Sequence, residues 1–428
     1  MDRRDFLKAS TLAGAGLLID WEHAFARGTA DHAVGKPWAG WKKGQFQVHF
    51  IYTGVGESMF LIFPDGTTML LDCGDHNAIG RGKLAVPVLP DATRHAGEWI
   101  ARYVRRVNPH GNKVDYMMLS HYHCDHGGSE VFYADKVIRD GKEYMLSGFS
   151  QAAEFLDFGK AIDRCWPTYD DPIPLLDDAS LQKTHMQKFY DYMQRERGME
   201  MEKFRLGATD QIVPLRGAVP GFSVRNISAN GRIAYPDGRI VDLYAERKKN
   251  LPKKFNENGM SLGVVFSYGP FRFYTAGDFS DKWKREDGST FMIEDAMAEV
   301  CGEADVAKIN HHGHNSMTAK LVGALRSRVW VSCVWDQLHN LPHVMALLAD
   351  RSIYPDQRII CPGVFPVERR TEDAGSPWLS DINKSSFDAG HMVLCVEKGG
   401  KKYSMTYLGA SDEDMIVRSV MHFKTKKR

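Results

Sequence analysis

Between residues 119 and 130 the chain reads LSHYHCDHGGSE, and six consecutive positions of it hold His121, His123, Asp125 and His126. Neutral imidazole and carboxylate together suit zinc, and also iron or manganese. The apolar run VDYMMLS leads into the cluster and reads as a buried strand. On extended backbone, side chains two apart point the same way. His121 and His123 can therefore serve one metal ion. The turn that follows, eased by Gly127 and Gly128, swings Asp125 and His126 to the other side, where they can serve a second ion.

Two further strand ends carry matching residues. A strongly apolar segment, SLGVVFSYGPFRFY, ends in Thr275-Ala276-Gly277-Asp278. One carboxylate has two oxygens for two metals, so Asp278 is the natural bridge. The segment ADVAKI ends in Asn310-His311-His312-Gly313-His314. One of these histidines completes the second metal, and His312 is favoured over His311. His311 and His314 are then left for substrate contact or proton transfer.

The elements that must position these residues can be read at low detail. Phe46 to Tyr52, MFLIF and TMLLDCG read as strands, the last two joined by the turn PDGT. Residues 94–106 read as an amphipathic helix. Residues 130–205, with Trp166, Tyr169, Phe189 and Tyr190, read as an insertion that is partly helical and borders the pocket. Strands and helices then alternate through AKLVGALRSRVWVSCVW, PHVMALLADR and QRIICPG, and HMVLCVEKGGKKYSMTYLG closes as a hairpin. Strand-rich and helix-bearing stretches follow each other twice, which suits two sheets with helices outside. The organisation expected is a leader over 1–26, a linker over 27–44, one domain over 45–410 and a basic tail over 411–428.

Composition sets outer bounds. The 428 residues carry 55 Lys+Arg against 54 Asp+Glu, for a net charge of +1. That balance argues against a long nucleic acid or an anionic membrane as the main partner. The densest basic run, AERKKNLPKK at 245–254, reads as a solvated loop. No run approaches the roughly 20 apolar residues that span a bilayer. The seven cysteines are scattered without a C-x-x-C pair, which argues against a disulfide framework. The start of the chain reads as a leader: Arg3-Arg4, Phe6-Leu7-Lys8, an apolar run over Ala9 to Ile19, and Ala24-Phe25-Ala26. It resembles a twin-arginine (Tat) signal, which implies export of the folded chain to the periplasm or the outside.

The order H-x-H-x-D-H, then a strand-end Gly-Asp, then a strand-end His resembles the metallo-β-lactamase superfamily. The segments GVGESMFLIFPDGTTMLLDCGD, NGMSLGVVF and AKINHHGHNS are similar to ComEC-type competence hydrolases. The similarity covers most of residues 45–400, interrupted by the insertion. The resemblance implies an α+β fold, a four-layer αβ/βα sandwich with a helical insertion. It also implies a metal-dependent hydrolase acting on phosphodiester bonds of a small molecule or a larger substrate. The cofactors expected are two divalent metals, zinc first. They hold a bridging hydroxide as nucleophile, with Asp125 ligating and orienting. Most of the superfamily has another histidine upstream of the Gly-Asp strand. Here KKFNENGMSLGVV has none, leaving Asn258, a water or Asp278 in its place. The family's Gly-His-Pro is displaced as well: Leu341 precedes Pro342 and His343 follows it. His311 and His343 are the candidate proton-transfer groups, with His339 beside them. A carboxylic-ester or lactone hydrolase of the same fold, and an exported metal-binding protein without catalysis, are the alternatives.

Overall fold

In the computed structural model, residues 33–76, 84–129, 135–172, 178–250 and 256–428 are described. The leader over 1–26 and residues 27–32 of the expected linker lie outside them. The chain opens with a meander of β1 (Phe46–Phe50), β2 (Ser58–Ile62) and β3 (Thr68–Cys73). Helix α1 (Ala96–Val107) then returns it to β4 (Lys113–Met118), parallel to β3. A one-turn helix α2 (Cys124–Gly127) follows, then the hairpin β5 (Asp135–Arg139) and β6 (Lys142–Leu146). Next come α3 (Phe149–Ala152), β7 (Asp157–Asp163), α4 (Asp178–Arg197) and β8 (Glu200–Lys203).

The second half runs through β9 (Phe222–Ala229), β10 (Arg232–Ala234), β11 (Ile240–Asp242), β12 (Gly263–Tyr268) and β13 (Phe271–Thr275). The small hairpin β14 (Lys282–Lys284) and β15 (Thr290–Met292) leads to α5 (Ile293–Met297) and β16 (Val306–Lys308). Then follow α6 (Ala319–Leu325), β17 (Val329–Ser332), α7 (Pro342–Ala349), β18 (Ile359–Pro362) and α8 (Val367–Glu372). Strands β19 (Gly390–Val396), β20 (Lys402–Gly409) and β21 (Val417–Lys424) end the chain.

Apart from the hairpins β5–β6 and β14–β15, which pair only within themselves, these strands form two large mixed sheets, an α+β arrangement. One has the order β21-β20-β19-β1-β2-β3-β4-β7-β8 and the other β11-β10-β9-β12-β13-β16-β17-β18. Their inner faces share one core. Phe46, Val48, Phe50, Met59 and Leu61 of the first sheet cluster with Val264, Phe266, Phe273, Val306 and Val329 of the second. Outer faces are covered too. Phe60, Ile62 and Leu70 pack with Ile100 and Val104 of α1 and with Phe189 and Tyr190 of α4. On the other side Tyr274, Ala307 and Trp330 pack with Leu321 and Val322 of α6 and with Val344 and Met345 of α7. Burial on both faces explains why MFLIF and TMLLDC are continuous apolar runs rather than alternating ones. Among the described residues, no helix is long and apolar enough to cross a membrane, and all seven cysteines are free.

Three sequence expectations change. The basic tail is not outside the fold: Val417–Lys424 is an edge strand paired with β20, and the ring of Phe423 stacks on Tyr403. Its alternating Val417, Met421 and Phe423 are hidden in composition by the surrounding charges. One of those charges is used, with Arg428 meeting Asp305 of the second sheet at 2.9 Å. Residues 33–44 are not a loose linker, since Gly35 N–H donates to the Val417 carbonyl and Val417 N–H to the Lys36 carbonyl. The insertion is largely part of the sheet. Strands β7 and β8 extend it in parallel beyond β4, and the aromatic residues Phe189 and Tyr190 are fully buried in the helix-side core.

The shared core yields a direct expectation. The Phe266 ring lies 5.7 Å from that of Phe46 across the sheets and 5.9 Å from that of Phe273. Phe266→Ala should cost about 3–5 kcal/mol of stability in urea unfolding. A loss under about 1 kcal/mol would contradict a core shared by the two sheets.

Candidate metal centre

The site forms where the parallel halves of the two sheets end. Strands β3 and β4 are parallel neighbours in one sheet, and β13 and β16 are parallel neighbours in the other. Crevices at the carboxyl ends of parallel strands are where α/β folds collect functional groups. The two ends are stitched together by backbone, with Leu262 N–H donating to the Ser120 carbonyl at 2.9 Å. After β4 the chain delivers His121 and His123, and α2 turns Asp125 and His126 inward. Gly74 is required by this turn, because a Cβ there would sit 1.8 Å from the Asp125 carbonyl oxygen. After β16 the loop Asn310–Gly313 places His311 and His312 at φ of 47° and 52°. Two successive non-glycine residues in the left-handed region store strain, which the surrounding contacts must hold.

Most of the cluster is sealed from solvent: His121 and His126 are 0 % exposed, and His312 and Asp278 1 %. His312 Nε2 stands 3.1 Å from Asp125 Oδ2 and 3.4 Å from Asp278 Oδ2. His126 Nε2 stands 3.3 Å from Asp278 Oδ1 and 3.5 Å from Asp125 Oδ2. Beside them His121 Nε2 and His123 Nδ1 are 3.0 Å apart. His121 and His311 each place Nε2 3.9 Å from Asp278 Oδ2.

These separations bear on a metal. Four ligands about 2.1 Å from a tetrahedral ion lie roughly 3.4 Å from one another. The four imidazole–carboxylate separations of His126 and His312 from Asp125 and Asp278, at 3.1–3.5 Å, are close to that spacing. His126 Nε2 and Asp278 Oδ1 are buried and face each other at 3.3 Å as an ion pair outside good hydrogen-bond geometry. Ligand-capable atoms of Glu57, His126, Asp278 and His312 lie within 4.8 Å of one another and could hold a metal ion. Glu57, however, is engaged by Lys308 Nζ at 2.9 Å and approaches His312 from its Nδ1 side. That nitrogen is the one that faces the Cys333 carbonyl at 2.8 Å. Glu57 therefore supports the cluster from behind, and Asp125 is the better fourth donor.

A layer of supporting contacts fixes the imidazoles. His126 Nδ1 donates to Asp72 Oδ2 at 2.8 Å, which leaves Nε2 for the site. Asp72 also accepts from Ser120 N–H and Oγ–H. Such carboxylate–histidine pairs orient metal ligands and set their tautomer. The His-x-His turn is held from the other sheet. Arg164, fully buried, grips Glu257 through both carboxylate oxygens at 2.6–2.7 Å, and Glu257 Oε1 accepts Tyr122 N–H at 2.9 Å. The next residue, Asn258, reaches His311 Nε2 at 3.2 Å. Burial opposes charge on these imidazoles, and at His126 and His312 the carboxylates prevail. Asp278 and Asp125 hold His126 well above its ordinary pKa and His312 up to about 9. His126 and His312 in turn hold both carboxyls well below the usual range. His311, where burial dominates, is pushed down to about 4 and is neutral.

The six residues expected as ligands, His121, His123, Asp125, His126, Asp278 and His312, thus come together, with His311 beside them. His343 does not. It lies exposed on the first turn of α7, because Pro342 starts that helix and turns the following side chain outward. His339 takes the inner place instead, its ring stacked on His312 at 4.6 Å. Glu57, Asp72, Lys308 and the Arg164–Glu257 pair were not singled out from sequence. Glu57 and Asp72 stand in the segments GVGES and LLDCGD respectively, whose residues carry the resemblance but do not by themselves state a role. A scan against models of protein families matches none on this chain. A search of curated proteins likewise finds no match.

Two outcomes are expected. Asp72 has φ 61°, a conformation asparagine also tolerates, so Asp72→Asn should fold. It should weaken zinc binding about 10–100-fold in a chelator competition; unchanged affinity would remove Asp72 from the supporting layer. Glu294 of α5 accepts Asn310 Nδ2–H at 3.1 Å and Met317 N–H at 2.8 Å, bracing the His311–His312 loop. Burial pushes its carboxyl from 4.5 up to about 8. Between those values the folded state keeps a proton that the unfolded state releases, so stability falls as pH rises, by up to about 1.4 kcal/mol per pH unit. Glu294→Gln should flatten the stability profile between pH 5 and pH 8 in chemical unfolding, and an unaltered profile would show that Glu294 is ionised in the fold.

Proposed function

We propose that this chain is a metal-dependent hydrolase on the four-layer sandwich of the metallo-β-lactamase superfamily, acting on phosphodiester bonds. The observation that carries the reading is the convergence of His121, His123, Asp125, His126, Asp278 and His312 at the seam of two sheets, with donor spacing suited to cations. His121 and His123, with one oxygen of Asp278 and His311 nearby, would hold one metal. Asp125, His126 and His312, with Asp278 between the two groups, would hold the second. When bound, divalent metals at such a site supply Lewis acidity and lower the pKa of water.

The chain's own groups do the rest. Asp125 is fixed by His126 and His312 and orients what enters the site. Asp72 and the Cys333 carbonyl keep the Nδ1 protons of His126 and His312 turned away from it. Neutral His311, at 24 % side-chain exposure the most open imidazole in contact with Asp278, stands where substrate arrives. Its Nδ1 is within 3.2 Å of Ser280 Oγ, which sets the ring's orientation. The phosphodiester preference rests on the ComEC-type segments, in which both Glu57 and Lys308 fall. Export in the folded state through the twin-arginine leader belongs to the same reading, since it lets the metal load before export.

The test is hydrolysis of bis-p-nitrophenyl phosphate by the mature protein. Turnover should be lost on chelation, return with added zinc or manganese, and fall at least about 100-fold in His123→Ala. Metal-replete protein with no turnover on this diester, but with turnover on p-nitrophenyl esters, would overturn the phosphodiester assignment.

A further inference from the structure

A second concavity opens on the same edge of the sandwich as the metal cluster. It is a cavity of about 730 Å³ lined by Val86, Leu89, Val364 and Phe387, with Arg370 and Arg418 on its wall. That volume is in the range of small-molecule sites. Its position follows from strand direction. Strand β18 runs parallel to β17, β16 and β13, so Val364 leaves β18 at the edge where Asp278 leaves β13. In the other sheet β1 and β3 both run antiparallel to β2, and β19 antiparallel to β1. Ala389, which also lines the cavity, therefore enters β19 at that edge. The two sites share a wall. Gln337 lines the cavity, and two residues to either side of it Trp335 and His339 pack on the His312 ring.

The two arginines are what the packing of the fold leaves unexplained. Arg418 donates to the Asp388 carbonyl at 3.0 Å, and its buried Nε has no hydrogen-bond partner. Arg370 stacks over Phe387 at 4.3 Å, and its Nε is likewise buried without a partner. Glu368 and Asp388 also line the cavity, yet neither carboxylate closes a salt bridge with an arginine among the described residues. Buried guanidinium N–H groups are normally paired, most strongly with carboxylate or phosphate. Apolar side chains stand among the polar ones: exposed Val367 lines the cavity, and Leu84 and Leu338, each next to a lining residue, are exposed as well.

We propose that this cavity is the subsite for the non-reacting arm of the substrate, an apolar body that bears a phosphate or carboxylate held by Arg370 and Arg418. The substrate role rests on reading the metal cluster as a hydrolytic centre; the anion site itself rests on the cavity alone. The test is calorimetric titration of the full chain with octyl phosphate and with octanoate, after chelation so that no metal can bind the probe. Octyl phosphate, octanoate or both should bind. Arg370→Gln and Arg418→Gln should each weaken binding at least about tenfold, as the loss of a charge-assisted hydrogen bond predicts. Ala389→Trp, which fills the cavity and leaves both arginines in place, should abolish it. Arg370 lies on a partly exposed helix, so its variant keeps the test decisive if Arg418→Gln fails to fold. Which probe binds more tightly tells phosphate from carboxylate. No binding of either probe, or equal binding by the arginine variants, overturns the site. Turnover of bis-p-nitrophenyl phosphate by the metal-loaded protein is read alongside: probe binding without any turnover overturns the substrate role, and turnover without probe binding overturns the cavity assignment alone.

Discussion

Three aspartates, Asp72, Asp125 and Asp278, are buried against imidazoles at the seam of the two sheets. Burying carboxylates is expensive unless they are paired, and the architecture around the seam is arranged to pair them. Lys308, buried in the seam, is committed to Glu57 and to the Gly277 carbonyl, and stands 3.8 Å from Asp278. The remaining negative charge falls on His126 and His312, which take up protons against their own burial, while burial keeps His121 and His311 neutral. A divalent cation could take the place of those protons, since ligand-capable atoms of Glu57, His126, Asp278 and His312 lie within 4.8 Å of one another.

Each wall of the seam comes from a different sheet, so neither sheet alone makes the site. The first sheet contributes the His-x-His-x-Asp-His turn and Asp72; the second contributes Asp278, the histidine loop and the Glu257 carboxylate that holds Tyr122 N–H. Arg164 links them from the region first read as an insertion. It is fully buried, and its guanidinium satisfies Glu257, Asn230 and the Asp171 carbonyl at once. Removing one partner of such a pair leaves an uncompensated buried charge. The shared core of Phe46, Phe266 and Phe273 therefore also fixes the distance between the two halves of the site.

Much of this was legible in the sequence, for physical reasons that can be named. Ligand-type residues at fixed spacing beside apolar runs mark strand ends, and His121, His123, Asp125, His126, Asp278 and His312 were all marked that way. The two sheets with outer helices follow from strand and helix signals that repeat along the chain. The misses have reasons too. His343 was placed by its neighbourhood to a proline, and a helix start turned it outward while His339 packed inward. The C-terminal strand was obscured because its lysines and arginines set its composition, while the period-two pattern of Val417, Met421 and Phe423 sets its structure. Supporting residues such as Arg164, Glu257 and Glu57 carry no local signal. Their roles depend on which distant segments meet, and only the assembled sheets bring Glu257 to Tyr122.

The central claim is that the seam is built for cations, and metal stoichiometry tests it most directly. Native mass spectrometry of the folded protein, after incubation with zinc, manganese or ferrous iron, should show a mass excess of two ions per chain that disappears on acid unfolding. Asp278→Ala should lose both. A folded chain that takes up no metal, or that retains its metal in Asp278→Ala, would contradict the account.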